Sequence, residues 1–343
     1  MKIDFSDYGY ANARVKALKT KLLDSARTRQ LQDLGSVDQL VALLEETNYK
    51  QEMVKASADF KGIRLVSEAL HANLVASLQS VYSWLPPEGR EAYEVVLNEF
   101  EVSDLKKVLT SKAENRELNA SELANVFESK VVAKALAARD LKQSIDVIKN
   151  TPGYEKAFSE EWVKQAIRSG DYRPLLIALD NNYFKRLAAL SVDTDSAQLT
   201  SVIDARLDFK NTMLVLRMLR DGLPLAEIEK RLLPSKRKYW VKKLLACKDY
   251  ADAVELSAKK YGVGEEELKA AVNEKKLSAF EIAVETGMVS RVLRASRLSV
   301  MDFGTILGFV YLKSVEVENI RKIAYGIHFG LKDELKKSII AFN

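Results

Sequence analysis

Two histidines, His71 and His328, and one cysteine, Cys247, are the whole stock of imidazole and thiol in this sequence. That excludes a His-rich or Cys-rich zinc site, an internal disulfide framework, and most Ser-His or Cys-His catalytic arrangements. Glu68 and His71 have the Glu-x-x-His spacing of a di-iron helix bundle, but such a centre needs a second pair, and Tyr325 stands three residues before His328. Asp193 and Asp195 open like a calcium loop, yet Gln198 occupies the sharp-turn glycine position and Asp204 that of the bidentate glutamate. A capped helix start is the better reading there. No glycine is followed by lysine, so the phosphate-cradling P-loop is absent, and Gly262-Val263-Gly264 runs into three glutamates. No catalytic group, cofactor or metal is expected. Cys247 reads as a small buried helix residue and His328 as a favourable last-turn side chain before Gly330.

One cluster stands out by charge. Lys230, Arg231, Lys236, Arg237, Lys238, Lys242 and Lys243 lie within fourteen residues with no acidic member, interleaved with Tyr239 and Trp240. Such a segment can meet anionic lipid head groups, nucleic acid or an acidic partner, or form a solvated linker. A helical nucleic-acid-binding or scaffolding protein gripping phosphates with residues 230–243 is the alternative reading it supports. The chain as a whole argues against a strongly basic coat: 53 Lys and Arg against 48 Asp and Glu leave a net charge of only +5. The amino terminus carries Lys2, Asp4 and Asp7 rather than an apolar signal core, and the longest apolar stretch, Phe303 to Leu312, is half a membrane span. No membrane-crossing segment is expected.

Helices must position these residues. The 14 Gly and 6 Pro of 343 residues are about half the usual share of roughly 12%, too few for a turn-rich sheet protein. Val37, Leu40, Val41 and Leu44 recur at helical spacing behind Ser36 and Gln39, a capping-box pair. Leu70, Leu74, Leu78 and Val81 form a second stripe, ended by Leu85-Pro86-Pro87. Ser278 with Glu281 repeats the capping spacing. The fold class is all-α.

Internal recurrence organises the chain further. Asp208 and Asn211 lead through an apolar stripe to Gly222-Leu223, and Glu316 and Asn319 lead through another to Gly330-Leu331, each position related by 108. The first third holds a poorer copy built on Asp104 and Lys107, lacking the glycine. Helices ending in tyrosine turns recur at Tyr49, Tyr154 and, more loosely, Tyr261. Ala69-Leu70, Ala178-Leu179 and Ala283-Val284 form a third series. The expectation is three related helical domains, residues 1–128, 129–234 and 235–343.

Tyr8-Gly9-Tyr10-Ala11-Asn12-Ala13-Arg14-Val15-Lys16-Ala17-Leu18-Lys19, the Tyr49 turn, Gly308-Phe309-Val310-Tyr311-Leu312-Lys313, Glu316 to Arg321 and Gly330-Leu331 carry a resemblance over essentially the whole chain. They resemble the C subunit of archaeal-type (A/V-type) rotary ATPases, the counterpart of the d subunit of eukaryotic vacuolar ATPase. The resemblance implies a funnel of three helical domains with pseudo-threefold symmetry, peripheral on the cytoplasmic face of the membrane. It implies a non-catalytic central-stalk adaptor that links the D and F subunits of the shaft to the membrane proteolipid ring, transmits torque and meets no nucleic acid. Asp104, Lys107, Asp208, Asn211, Glu316 and Asn319 are expected near equivalent partner-facing positions, with Lys236, Arg237 and Lys238 as a second, salt-sensitive contact.

Overall fold

A computed structural model describes residues 8–118, 122–193, 197–233, 239–298, 303–331 and 336–340. Among these residues there are seventeen α-helices and no strand. In chain order they begin with α1 (Gly9–Lys19), α2 (Ser25–Asp33), α3 (Val37–Leu44), α4 (Lys50–Ala56) and α5 (Gly62–Trp84). Then come α6 (Pro87–Ala113), α7 (Lys130–Ala137), α8 (Leu141–Lys149), α9 (Glu160–Ser169) and α10 (Arg173–Asp193). The remainder are α11 (Ala197–Arg220), α12 (Leu225–Arg231), α13 (Tyr239–Leu245), α14 (Tyr250–Tyr261), α15 (Glu265–Asn273), α16 (Ser278–Leu298) and α17 (Phe303–His328).

The starts follow local chemistry. Ser36 and Gln39 form the expected capping box of α3, each side chain satisfying backbone N–H groups the helix leaves unpaired. Asp24, Asp140, Ser159 and Asp249 cap α2, α8, α9 and α14, each with its side chain accepting from one backbone N–H of the first turn. α5 stops at Trp84 before Leu85-Pro86, as its sequence dictates. α16 does begin at Ser278, but Glu281 takes the Arg217 guanidinium at 2.6 Å. The Asp195 start falls outside the described residues.

The chain forms two compact bodies, Pro87–Asp193 and the combination of Met1–Pro86 with Thr194–Asn343. Within Pro87–Asp193, the long helices α6 and α10 pack together and the short α7–α9 lean on them. Residue 128, an expected domain boundary, lies inside this body, between α6 and α7; residue 234 lies outside the described residues.

In the other body, two long pairs recur: α11 with α16, and α17 with α5. α17 also packs on α1, α11 and α16, and from Phe303 to Lys313 every one of its residues is buried. The apolar run of the sequence is therefore a core helix, apolar on all sides because it has neighbours on all sides. Small residues allow that crowding. A Cβ at Gly304 would come within 2.8 Å of the Leu199 amide nitrogen, and one at Gly308 within 2.8 Å of Ser296 Cβ.

Candidate functional site

The recurring carboxylates hold the chain together. On α17, Glu316 is 2 % exposed and accepts three hydrogen bonds: from the Tyr49 hydroxyl at 2.6 Å, from Lys313 Nζ at 2.8 Å, and from the Leu23 amide. Lys313 also donates to the Tyr49 oxygen at 2.8 Å, with Nζ 4.2 Å from the ring centroid. Burial lowers the Lys313 pKa against the pull of Glu316, and burial, reinforced by Glu316, raises that of Tyr49. One turn on, Asn319 clasps a single backbone residue, donating from Nδ2 to Ile340 O at 2.7 Å and accepting from Ile340 N at 3.0 Å. Lys322 Nζ donates to Ser338 O at 3.0 Å. Gly330, at φ 71°, closes the helix end while Leu331 N donates to Gly326 O.

α11 repeats the pattern with a shorter acid. Asn211 donates to Leu233 O at 3.1 Å and accepts from Leu233 N at 2.8 Å, Gly222 has φ 76°, and Leu223 N donates to Met218 O. Asp208 lacks one methylene of Glu316; it accepts Lys260 Nζ at 2.6 Å, and the Tyr261 hydroxyl meets Thr212 Oγ1 at 3.4 Å instead.

α6 supplies the third instance, three residues earlier than the spacing of letters implies. Glu101 accepts from the Tyr154 hydroxyl at 2.6 Å and from Ser129 Oγ at 2.7 Å. Asp104 then accepts from the amides of Ala124 at 2.7 Å and Asn125 at 2.9 Å, and Lys107 Nζ reaches Glu122 O at 2.7 Å, as Lys322 reaches Ser338. Glu101 with Asp104, rather than Asp104 with Lys107, matches Asp208 with Asn211. The glycine missing from this copy is Asn115, at φ 49°, with Arg116 N donating to Ser111 O. Asparagine is the residue that best replaces glycine in left-handed backbone. That substitution, and a carboxylate three residues before Asp104, were the available signals.

Of the residues expected to face partners, Asp104, Asn211, Glu316 and Asn319 are at most 3 % exposed, and their polar atoms bond the chain's own backbone and side chains. Buried polar groups must be hydrogen-bonded, which here makes them staples between segments rather than a surface. Asp208 is largely buried against Lys260, while Lys107 is partly exposed. Lys236, Arg237 and Lys238 lie outside the described residues. Beside them, Lys230, Tyr239, Lys242 and Lys243 are exposed, Lys230 pairs with Glu227 at 2.7 Å, and Trp240 is buried. Cys247 is half-exposed, not buried, and bonds Lys243 O. Among the described residues no three His, Cys, Asp or Glu side chains group as a metal site, and no helix is long and apolar enough to cross a membrane.

A sequence profile of the family described as ATP synthase (C/AC39) subunit matches residues 11–338. The chain belongs to this family. The C subunit of the A-type ATP synthase of Thermococcus kodakarensis is 26% identical over 345 residues, spanning 98% of this chain and 91% of that protein. Its namesake in Methanocaldococcus jannaschii is 26% identical over 99% of this chain and 88% of its own length, and that of Haloquadratum walsbyi 23% over 97% and 98%. In this ATP synthase (C/AC39) subunit, then, the recurring polar residues of the long helices are internal clasps.

Proposed function

We propose that this ATP synthase subunit is a non-catalytic rotor adaptor of the central stalk, joining the D and F subunits of the shaft to the membrane proteolipid ring and passing torque between them. One observation carries the reading: a chain matched to its family from end to end repeats a single stiffening device on three long helices. Each device ties a carboxylate to a side chain brought from a distant segment and pins the backbone that follows the helix with two hydrogen bonds. A part that transmits twist must not absorb it, and close-packed helices with pinned connections deform little. The modules so defined are α6–α10, α11–α16, and α17 with α1–α5, which would stand in the pseudo-threefold funnel. The cuts proposed with them lie close to residues 86, 193 and 302.

The subunit would lie peripherally on the cytoplasmic face, with Lys107 and residues 230–243 offering polar, salt-sensitive contacts. Tagged full-length chain recovered from solubilised membranes should bring down shaft and ring polypeptides. Recovery without either, or a salt-dependent shift of nucleic acid at low ionic strength, would defeat the proposal. Charge reversal of Lys236, Arg237 and Lys238 should weaken recovery at physiological salt; unchanged recovery removes that segment from the interface.

A further inference from the structure

A groove of about 690 Å³ runs between α11, α14 and α16, beside the one module whose clasp departs from the pattern. There the acid is Asp208 rather than a glutamate, and the residue before the tyrosine is Lys260, where Asn48 precedes Tyr49 and Gly153 precedes Tyr154. Lys260 is fixed between Asp208 and the Trp240 ring, its Nζ 3.8 Å from the ring centroid. Arg291 is fixed as well: Nη2 donates to Lys260 O at 2.7 Å, and the guanidinium lies 5.2 Å from the centre of the Tyr261 ring. Arg294 follows one turn later on the same face of α16, and Lys259 completes the wall. Both are exposed, and among the described residues neither makes an ion pair.

Four cations thus face two carboxylates, Asp204 and Asp208, leaving two positive charges in excess. We propose that this groove binds a phosphate monoester dianion. Two guanidinium groups one helical turn apart offer the planar donors that phosphate oxygens match, and two of the four cations are already held in place, so little ordering is lost on binding. The volume suits a phosphorylated small molecule or a lipid head group rather than a bare ion. Burial draws the Lys260 pKa down to about 8, against the pull of Asp208 and with a smaller push from Arg291. Of the glutamates after Gly264, Glu266 and Glu267 line an adjoining groove that shares Tyr261, Gly262, Gly287 and Ser290 with this one, and neither lines this one.

The test uses the full chain and glycerol 3-phosphate, titrated by calorimetry at 0.1 M salt. Saturable binding should weaken about tenfold in Lys259→Glu/Arg294→Glu, two exposed positions whose reversal should leave the helical spectrum unchanged, and should persist in the control Lys142→Glu/Lys164→Glu. Vesicles of phosphatidylcholine with and without phosphatidic acid separate the sources. Variant-sensitive capture by phosphatidic acid identifies a lipid head group, and binding of the soluble ester alone identifies a free ligand. No saturation at millimolar ester, equal loss in the control, or binding of an acidic peptide in place of the ester would each overturn the assignment, the last in favour of an acidic protein segment.

Discussion

The three carboxylates differ in how much depends on them. Glu316 and Lys313 are a fully buried pair, so Glu316→Gln strands a buried ammonium and should cost about 3–5 kcal/mol in urea unfolding. Lys313→Met in the same chain should recover part of that loss, because the stranded charge is gone and the hydroxyl of Tyr49 can still donate to the amide oxygen, while the Leu23 amide stays unpaired against the new NH2; a double variant as unstable as Glu316→Gln alone would contradict the ion-pair account. Lys19 behaves in the opposite sense. Burial first, then Arg297 and Lys16, lower its pKa from 10.5 to about 8, and its ammonium meets Ser296 Oγ. Between those two values the unfolded chain holds a proton that the folded chain has released, so stability rises with pH across that window. Lys19→Met should therefore melt above the parent below pH 8, with the gap closing towards pH 10 in thermal scans. The acids and amides of these staples were legible in the sequence, since their types and spacings recur. That their atoms turn inward was not, because Asn and Asp are as ordinary on a helix surface as in a clasp, and only the partner segment distinguishes the two.

At the level of helices, the clasps show why amide and acid are not interchangeable. Asn319 must donate to one backbone group and accept from another, whereas Asp104 accepts twice. Asn319→Asp should leave Ile340 O without its donor, and Asp104→Asn should leave an amide of Ala124 or Asn125 unpaired, each costing about 1–3 kcal/mol. Hydrogen exchange at Ile340 or Ala124 should accelerate with the loss; a variant with unchanged protection would mean the clasp is dispensable. Gly287→Ala should separate α14 from α16, costing about 1–3 kcal/mol by overpacking, with thermal melting as the measure. Helix starts such as Ser36–Gln39 and stops such as Leu85-Pro86 were readable because they obey local rules. The register of the first copy was not: its left-handed residue is Asn115 rather than glycine, and matching letters without that equivalence slid the alignment by nearly one helical turn.

For the molecule as a whole, three consecutive stretches cut from left to right do not follow the packing. α17 pairs with α5, and Glu316 takes the hydroxyl of Tyr49, 267 residues upstream. Recurrence along the chain cannot reveal such closure, since a repeat reads the same whether its parts are contiguous or divided between the two ends. A fragment of residues 87–193 should fold alone and melt cooperatively by circular dichroism, whereas residues 1–86 should gain stable helix only when mixed with residues 194–343. Stable, cooperative folding of residues 1–86 by themselves would refute this. The divided module also sets a timetable for biosynthesis. A ribosome adding roughly 5–20 residues per second needs some tens of seconds to go from Tyr49 to Glu316. Throughout that interval the newborn amino-terminal helices carry apolar faces with no seat, inviting chaperone capture before the last long helix emerges to claim them.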